Sequence, residues 1–194
     1  MKIAFFDFDG TITTDDSLIK FIRFAVGDFK MMLGMFLLSP MLVAFKLKII
    51  PNYIAKQKML AYFFKGMKES TFKQLAHEYS LNHIDSMLRE KAMAKIAWHK
   101  EQGHRVVIVS ASIESWLAPW CAKHDIELLG TQLEFKSGFV TGELATKNCF
   151  GPEKVSRIKT AYTLSEFEHI YAYGDSSGDI ELLELADTSG YRIF

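Results

Sequence analysis

Asp7 and Asp9 stand two residues apart at the end of the apolar run Ala4-Phe5-Phe6, and Gly10-Thr11 follow at once. An apolar run of this kind reads as a buried parallel strand, and such strands deliver their carboxyl-terminal residues to the edge where open α/β sheets hold ligands. Side chains at i and i+2 of a strand share one face. Two carboxylates crowded there repel each other unless a cation intervenes. The glycine allows a sharp turn and a close approach to a ligand. The chemistry that suits this arrangement is metal-assisted attack by a carboxylate nucleophile.

A second acidic cluster, Gly174-Asp175-Ser176-Ser177-Gly178-Asp179, follows the apolar run Ile170–Tyr173. If the two strands are parallel neighbours, Asp175 and Asp179 meet Asp7 and Asp9. Three or four carboxyl groups at one point call for a hard cation with oxygen ligands, and Mg²⁺ is the natural candidate. Either cluster alone would fit an Asp/Gly turn; two at strand ends point to a site. A third run, Val106–Val109, ends in Ser110-Ala111-Ser112. The Ser110 hydroxyl and the backbone N–H groups that follow it, Ala111 first, could hold phosphate oxygens. Lys154 opens a helix after Gly151-Pro152 and could reach an anionic nucleophile or phosphate.

The elements that must position these residues alternate. Strands are predicted at 3–7, Val106–Val109, Glu127–Leu129, Ile170–Tyr173 and Tyr191–Phe194. Helices are predicted at Ile84–Lys100, Glu114–His124, Glu153–Thr163 and Ile180–Leu185. This is the pattern of an α/β fold with a Rossmann-like parallel sheet core. Gln132–Phe135 and Phe139–Glu143 flank Lys136-Ser137-Gly138 and read as a hairpin. Residues 17–83 break the rhythm: they are helical, with interruptions at Gly27, Ser39-Pro40, Pro51-Asn52 and Gly66.

In this order the four pieces resemble the haloacid dehalogenase superfamily of phosphohydrolases, over nearly the whole chain. The likeness is most specific at Asp7-Phe8-Asp9-Gly10-Thr11 and at Gly174-Asp175 with Asp179. The small helical insertion and the hairpin with Val140-Thr141-Gly142-Glu143 are similar to the phosphoserine phosphatase-like branch, subfamily IB. The resemblance implies a type-one cap at 17–83 and a catalytic core at 1–16 and 84–194. It implies a phosphomonoester hydrolase with Asp7 as nucleophile, Asp9 as general acid and base, and Lys154 and Ser110 on the transferring phosphoryl group. Gly10 and Thr11 would shape the loop around that group. Mg²⁺ would lie on Asp7, the Asp9 backbone carbonyl and Asp175, with Asp179 orienting the metal shell or Lys154. The chain departs from phosphoserine phosphatases where they carry a substrate-recognising glutamate nine residues after the nucleophile: here Asp16 stands there. Ala111-Ser112 replace a glycine pair.

Composition narrows the partners. Net charge is zero across 194 residues, which excludes a dedicated nucleic-acid binder. Two cysteines cannot form a disulfide framework, and no signal peptide fits before the first strand, so a cytoplasmic location is expected. The insertion is lopsided: from Ser17 to Ser70, nine lysines and arginines face two acids, a balance of +7. Its stretch Met31–Ala44 is the most apolar in the chain. A membrane span needs about 20 apolar residues, and Lys30, Lys46 and Pro40 disfavour one here. A helix packed against its neighbours is the favoured reading, and contact with a membrane surface the disfavoured one. The expected substrate is a small soluble phosphomonoester. The alternatives are a lipid phosphate such as phosphatidylglycerophosphate, a phosphotransferase reaction, or a non-enzymatic metal- or phosphate-binding module.

Overall fold

The computed structural model describes residues 1–194. Its centre is a five-stranded parallel sheet in the order β3-β2-β1-β6-β7: β1 Lys2–Phe6, β2 Arg105–Ile113, β3 Glu127–Thr131, β6 His169–Gly174 and β7 Thr188–Tyr191. Ala4 of β1 pairs with Val106 on one side and Tyr171 on the other. Strands buried on both faces read as unbroken apolar runs, and Ile3, Ala4, Phe5 and Phe6 are all fully buried. β1, β2 and β3 step outward in one direction and β6 and β7 in the other. The chain therefore reverses beside β1, where ligands of open α/β sheets bind.

Six helices lie between β1 and β2, and the first five make up the insertion: α1 Ser17–Val26, α2 Asp28–Leu37, α3 Ser39–Lys46, α4 Asn52–Phe64 and α5 Glu69–Asn82. Their breaks fall at the expected glycines and prolines. Asp16 caps α1 by accepting from the Ile19 N–H at 3.1 Å. Pro40 occupies the first turn of α3, and Gly27 ends α1 at φ 81°. α6 (Glu90–Glu101), α7 (Glu114–Lys123), α8 (Pro152–Ala161) and α9 (Ile180–Glu184) cover the sheet. The hairpin forms as β4 (Leu133–Lys136) and β5 (Phe139–Leu144), turning through Ser137 and Gly138 at φ 52° and 80°.

The insertion shares one apolar cluster with the sheet. Phe21 of α1 stacks on Trp116 of α7 at 4.7 Å and meets Phe64, Phe72 and Tyr79 at 5.3–5.4 Å. Aromatic pairs in such geometries contribute roughly 0.5–1.5 kcal/mol each beyond the area they bury. The same cluster continues through Phe8, Ile12 and Ile113 to Phe6.

Three expectations are corrected. The helix expected from Ile84 divides: a 3₁₀ turn at Ile84–Met87 gives way to extended backbone before α6. Leu88 bridges to Thr13, and the Arg89 N–H reaches the Ile12 carbonyl at 2.8 Å, so a tertiary pairing outbids the helical period. The last strand is Thr188–Tyr191, not Tyr191–Phe194, because Arg192 turns to φ 52° and the polar edge residues pair with Tyr171–Gly174. The apolar stretch Met31–Ala44 is only half packed. Met31, Met35, Leu38, Met41 and Leu42 lie against the core, whereas Met32, Leu33, Phe36, Leu37 and Val43 face outward, as does Phe29 just before the stretch. No single helix is long and apolar enough to cross a membrane.

Candidate active site

Every piece of the expected constellation arrives at the carboxyl edge of the sheet. Asp7 and Asp9 leave β1, Ser110 and Ser112 lie on β2, and Asp175 follows β6. Lys154 sits in the first turn of α8, which Gly151 opens at φ 60° with Pro152 behind it. A pocket of about 220 Å³ is lined by Asp7, Asp9, Asp16, Ser110, Ala111 and Lys154, among others. Thr11 and Asp175 do not line it.

Lys154 is almost fully buried and bridges two acids, donating to Asp7 Oδ1 at 2.5 Å and to Asp179 Oδ1 at 2.6 Å. Burial alone would lower its pKa; Asp7 and Asp179 outweigh that and hold it above the ordinary lysine value, so it stays charged. Asp7 is pushed up to about 6, by burial first, against the pull of Lys154. Asp179 is held below the ordinary carboxylate range: burial opposes this, but Lys154 prevails. Its second oxygen accepts from the Asp175 and Ser176 N–H groups and from the Ser176 hydroxyl, at 2.8–3.2 Å. Thr11 donates to Asp175 Oδ1 at 3.2 Å, yet burial still raises the Asp175 pKa.

Ligand atoms of Asp7, Asp175 and Asp179 lie within 4.8 Å of one another. Three carboxyl groups around one lysine leave an excess of negative charge; burial first, and the charge of Asp179 after it, raise the pKa values of Asp7 and Asp175. An all-oxygen donor set with an unneutralised charge fits a hard divalent cation, Mg²⁺ or Ca²⁺, rather than a softer metal.

Asp9 has different company. Its carboxylate accepts from the Ser17 N–H at 2.7 Å, from the Ser17 hydroxyl at 3.1 Å and from the Ser112 hydroxyl. Trp116 Nε1 donates to Ser17 Oγ and fixes that hydroxyl. Burial, followed by the charge of Asp16, raises the Asp9 pKa to about 7 against the hydrogen bonds from Ser112 and Ser17. The Ser110 hydroxyl accepts from the Ser112 N–H at 3.1 Å, which leaves its own proton to donate into the pocket.

Sequence reasoning missed several contributors. Ser112 lies two residues beyond Ser110, the alternation that linked Asp7 to Asp9, so a signal was present. Ser17 follows Asp16 and carried none. Lys56 was only one of ten lysines and arginines in the insertion. In the fold it reaches down from α4 to the Ala111 carbonyl at 2.7 Å and to Asn148 Oδ1 at 2.8 Å, and it lines the pocket. Burial lowers its pKa to about 8, despite Asp9 and Asp16 nearby. Asn52 of α4 joins it by accepting from Asn148 Nδ2 at 3.1 Å.

The family model for haloacid dehalogenase-like hydrolases matches residues 4–184. The chain is 34% identical over 193 residues to protein CicA of Caulobacter vibrioides, covering 97% of this chain and 85% of that one. A crystal structure of a Bordetella pertussis protein of unknown function superposes with a TM-score of 0.82 at 22% identity, covering 97% and 88% of the two chains. A substrate-bound phosphoserine phosphatase superposes with a TM-score of 0.71 at 15% identity, covering 98% and 85%. At these identities the two structural likenesses are likenesses of fold.

Proposed function

The chain belongs to the haloacid dehalogenase-like hydrolase family, and on that footing we propose that it is a Mg²⁺-dependent phosphatase that splits a phosphomonoester through an aspartyl-phosphate on Asp7. One observation carries the reading. Two acids two residues apart sit in opposite surroundings at the floor of one pocket, Asp7 paired with Lys154 and Asp9 raised to about 7 among hydroxyls. Paired acids whose environments differ in this way take different roles, one as nucleophile and one as proton donor.

Asp7, Asp175 and the Asp9 backbone carbonyl would hold Mg²⁺, with Asp179 beside them anchoring Lys154. Bound there, the ion would neutralise charge between the attacking carboxylate and the phosphoryl oxygens. The protein's own groups do the rest. A carboxylate oxygen of Asp7 attacks phosphorus while the ester oxygen departs, taking the proton from Asp9. Asp9 then removes a proton from water, which attacks the same phosphorus, frees Asp7 and releases inorganic phosphate. Lys154, the Ser110 hydroxyl and the Ala111 N–H grip the phosphoryl oxygens as charge builds on them. The free, buried thiols of Cys121 and Cys149 suit action in a reducing cytoplasm.

Asp7→Asn tests the reading. The variant should retain its circular dichroism spectrum, lose nitrophenyl phosphate turnover and take up no label from radioactive substrate, because an amide is a poor nucleophile. Wild-type turnover should stop in chelator and return with Mg²⁺. Near-normal turnover by Asp7→Asn would overturn the assignment.

A further inference from the structure

Helices α2 and α3 are apolar on every side, a composition expected of helices buried all round. They are covered on one side only. Met31, Met35, Leu38, Met41 and Leu42 meet the core, and Gly34 lets the Phe63 and Tyr62 rings come close against α2. The outer face of α2 carries Phe29, Met32, Leu33, Phe36 and Leu37, at the three- and four-residue spacing that places side chains together. Phe29 is 82% and Phe36 75% exposed. The chain then bends by 65° into α3, where Val43 faces outward, as Leu47 and Ile49 do beyond it. An exposed apolar surface of this kind marks an interaction site.

Its charges say what it meets. Lys30, Lys46 and Lys48 are exposed around it. The one acid between residues 28 and 50, Asp28, is already paired with Arg23 at 2.5 Å. Apolar side chains ringed by lysines, with no unpaired acid, match the acyl and phosphate layers of an anionic bilayer. A second copy of the chain fits less well, because it would bring two insertions of +7 together.

The end of the elbow also lines a groove that adjoins the catalytic pocket. A groove of about 1150 Å³ runs from Phe45, Lys46 and Lys48 past Tyr53 to Leu144 and Phe150. Asn52 and Phe150 line both this groove and the catalytic pocket.

We infer that the α2–α3 elbow docks the protein on an anionic lipid bilayer, and that the groove carries a bilayer-borne phosphomonoester of an apolar alcohol to Asp7. The substrate half rests on the phosphatase reading above; the docking half does not. The reaction consumes water, breaks the ester P–O bond, and returns the alcohol to the bilayer and inorganic phosphate to solution.

The test uses the full chain and vesicles of phosphatidylcholine with or without phosphatidic acid. Co-sedimentation should favour the anionic vesicles by about tenfold or more at low salt and weaken as salt rises. Phe29→Gln with Phe36→Gln, and separately Lys30→Glu, should lose most of that binding. Both should keep nitrophenyl phosphate turnover within about twofold, since these residues lie outside the pocket. Wild type should release phosphate from vesicle phosphatidic acid faster than from glycerol 3-phosphate, and the phenylalanine variant should lose that advantage. Absence of vesicle binding by wild type at low salt overturns the docking. So does a sedimentation-velocity dimer that Phe29→Gln with Phe36→Gln dissolves without any vesicle binding. Binding accompanied by faster turnover of glycerol 3-phosphate overturns the substrate class. Binding without turnover of any ester, nitrophenyl phosphate included, sinks the phosphatase reading and leaves the docking standing.

Discussion

Asp9 owes its poise to its neighbours. Ser17 and Ser112 hydrogen-bond it and favour its charged form, yet burial and the charge of Asp16 outweigh them and bring it to about 7. A general acid with that pKa is about half protonated at neutral pH, and the alkaline limb of kcat/KM reports its loss of the proton. Asp16 raises the Asp9 pKa, so removing its charge should lower it. Asp16→Asn should therefore move the alkaline limb to lower pH. It should leave α1 intact, because asparagine caps a helix as well as aspartate. In Asp9→Asn the limb should vanish, with a rate loss of about 10²–10⁴-fold on esters with poor leaving groups. A limb that stays in place in Asp16→Asn would assign it to another group.

At the scale of elements, the loop leaving β1 has to turn while two acids come to rest beside a third. Gly10 does this at φ 85°, and a Cβ built on it would stand 2.6 Å from Asp175 Oδ2. Gly10→Ala should thus push Asp175 aside, besides straining the left-handed backbone by about 1–2 kcal/mol. The expected result is a modest fall in Tm together with a clear loss of Mg²⁺ affinity by calorimetric titration. A variant with unchanged Mg²⁺ affinity would remove Asp175 from the metal set. The motif glycine was legible in the sequence, but its reason was not. The partner of its missing Cβ comes from a strand end more than 160 residues away.

For the molecule as a whole, buried ionisable groups tie stability to pH. His99 of α6 is buried, with Nε2 2.9 Å from the Tyr173 hydroxyl and Nδ1 2.9 Å from His104 Nδ1. Burial, with His104 and Lys95 next, lowers its pKa to about 4. The unfolded chain therefore binds a proton between about pH 6.5 and 4 that the folded chain refuses, and this part of the stability is lost as pH falls through that window. Asp7 and Asp9, raised to about 6 and 7, act in the opposite sense in metal-free protein. Comparison with His99→Gln isolates the histidine. Thermal melts at pH 7 and pH 4.5 should show a smaller drop in Tm for the variant, and equal drops would contradict the assignment.

What the chain determined alone is what depends on near neighbours. The apolar run before Asp7, the i, i+2 spacing of the acids, the turn at Ser137-Gly138 and the breaks at Gly27, Pro40 and Pro51 are all local matters of backbone period and steric freedom. The tertiary structure decided everything that depends on which surfaces meet. It brought Asp175 and Asp179 to Asp7, and it lowered Lys56 from the insertion onto the Ala111 carbonyl. It moved the last strand onto Thr188–Tyr191, where pairing with β6 outweighed the more apolar residues that follow. It also chose which side of α2 is covered. Composition marks that helix as apolar all round, but only the packing of Met31, Gly34 and Met35 against the core leaves Phe29 and Phe36 to solvent, because burial is set by long-range neighbours that a local pattern does not encode.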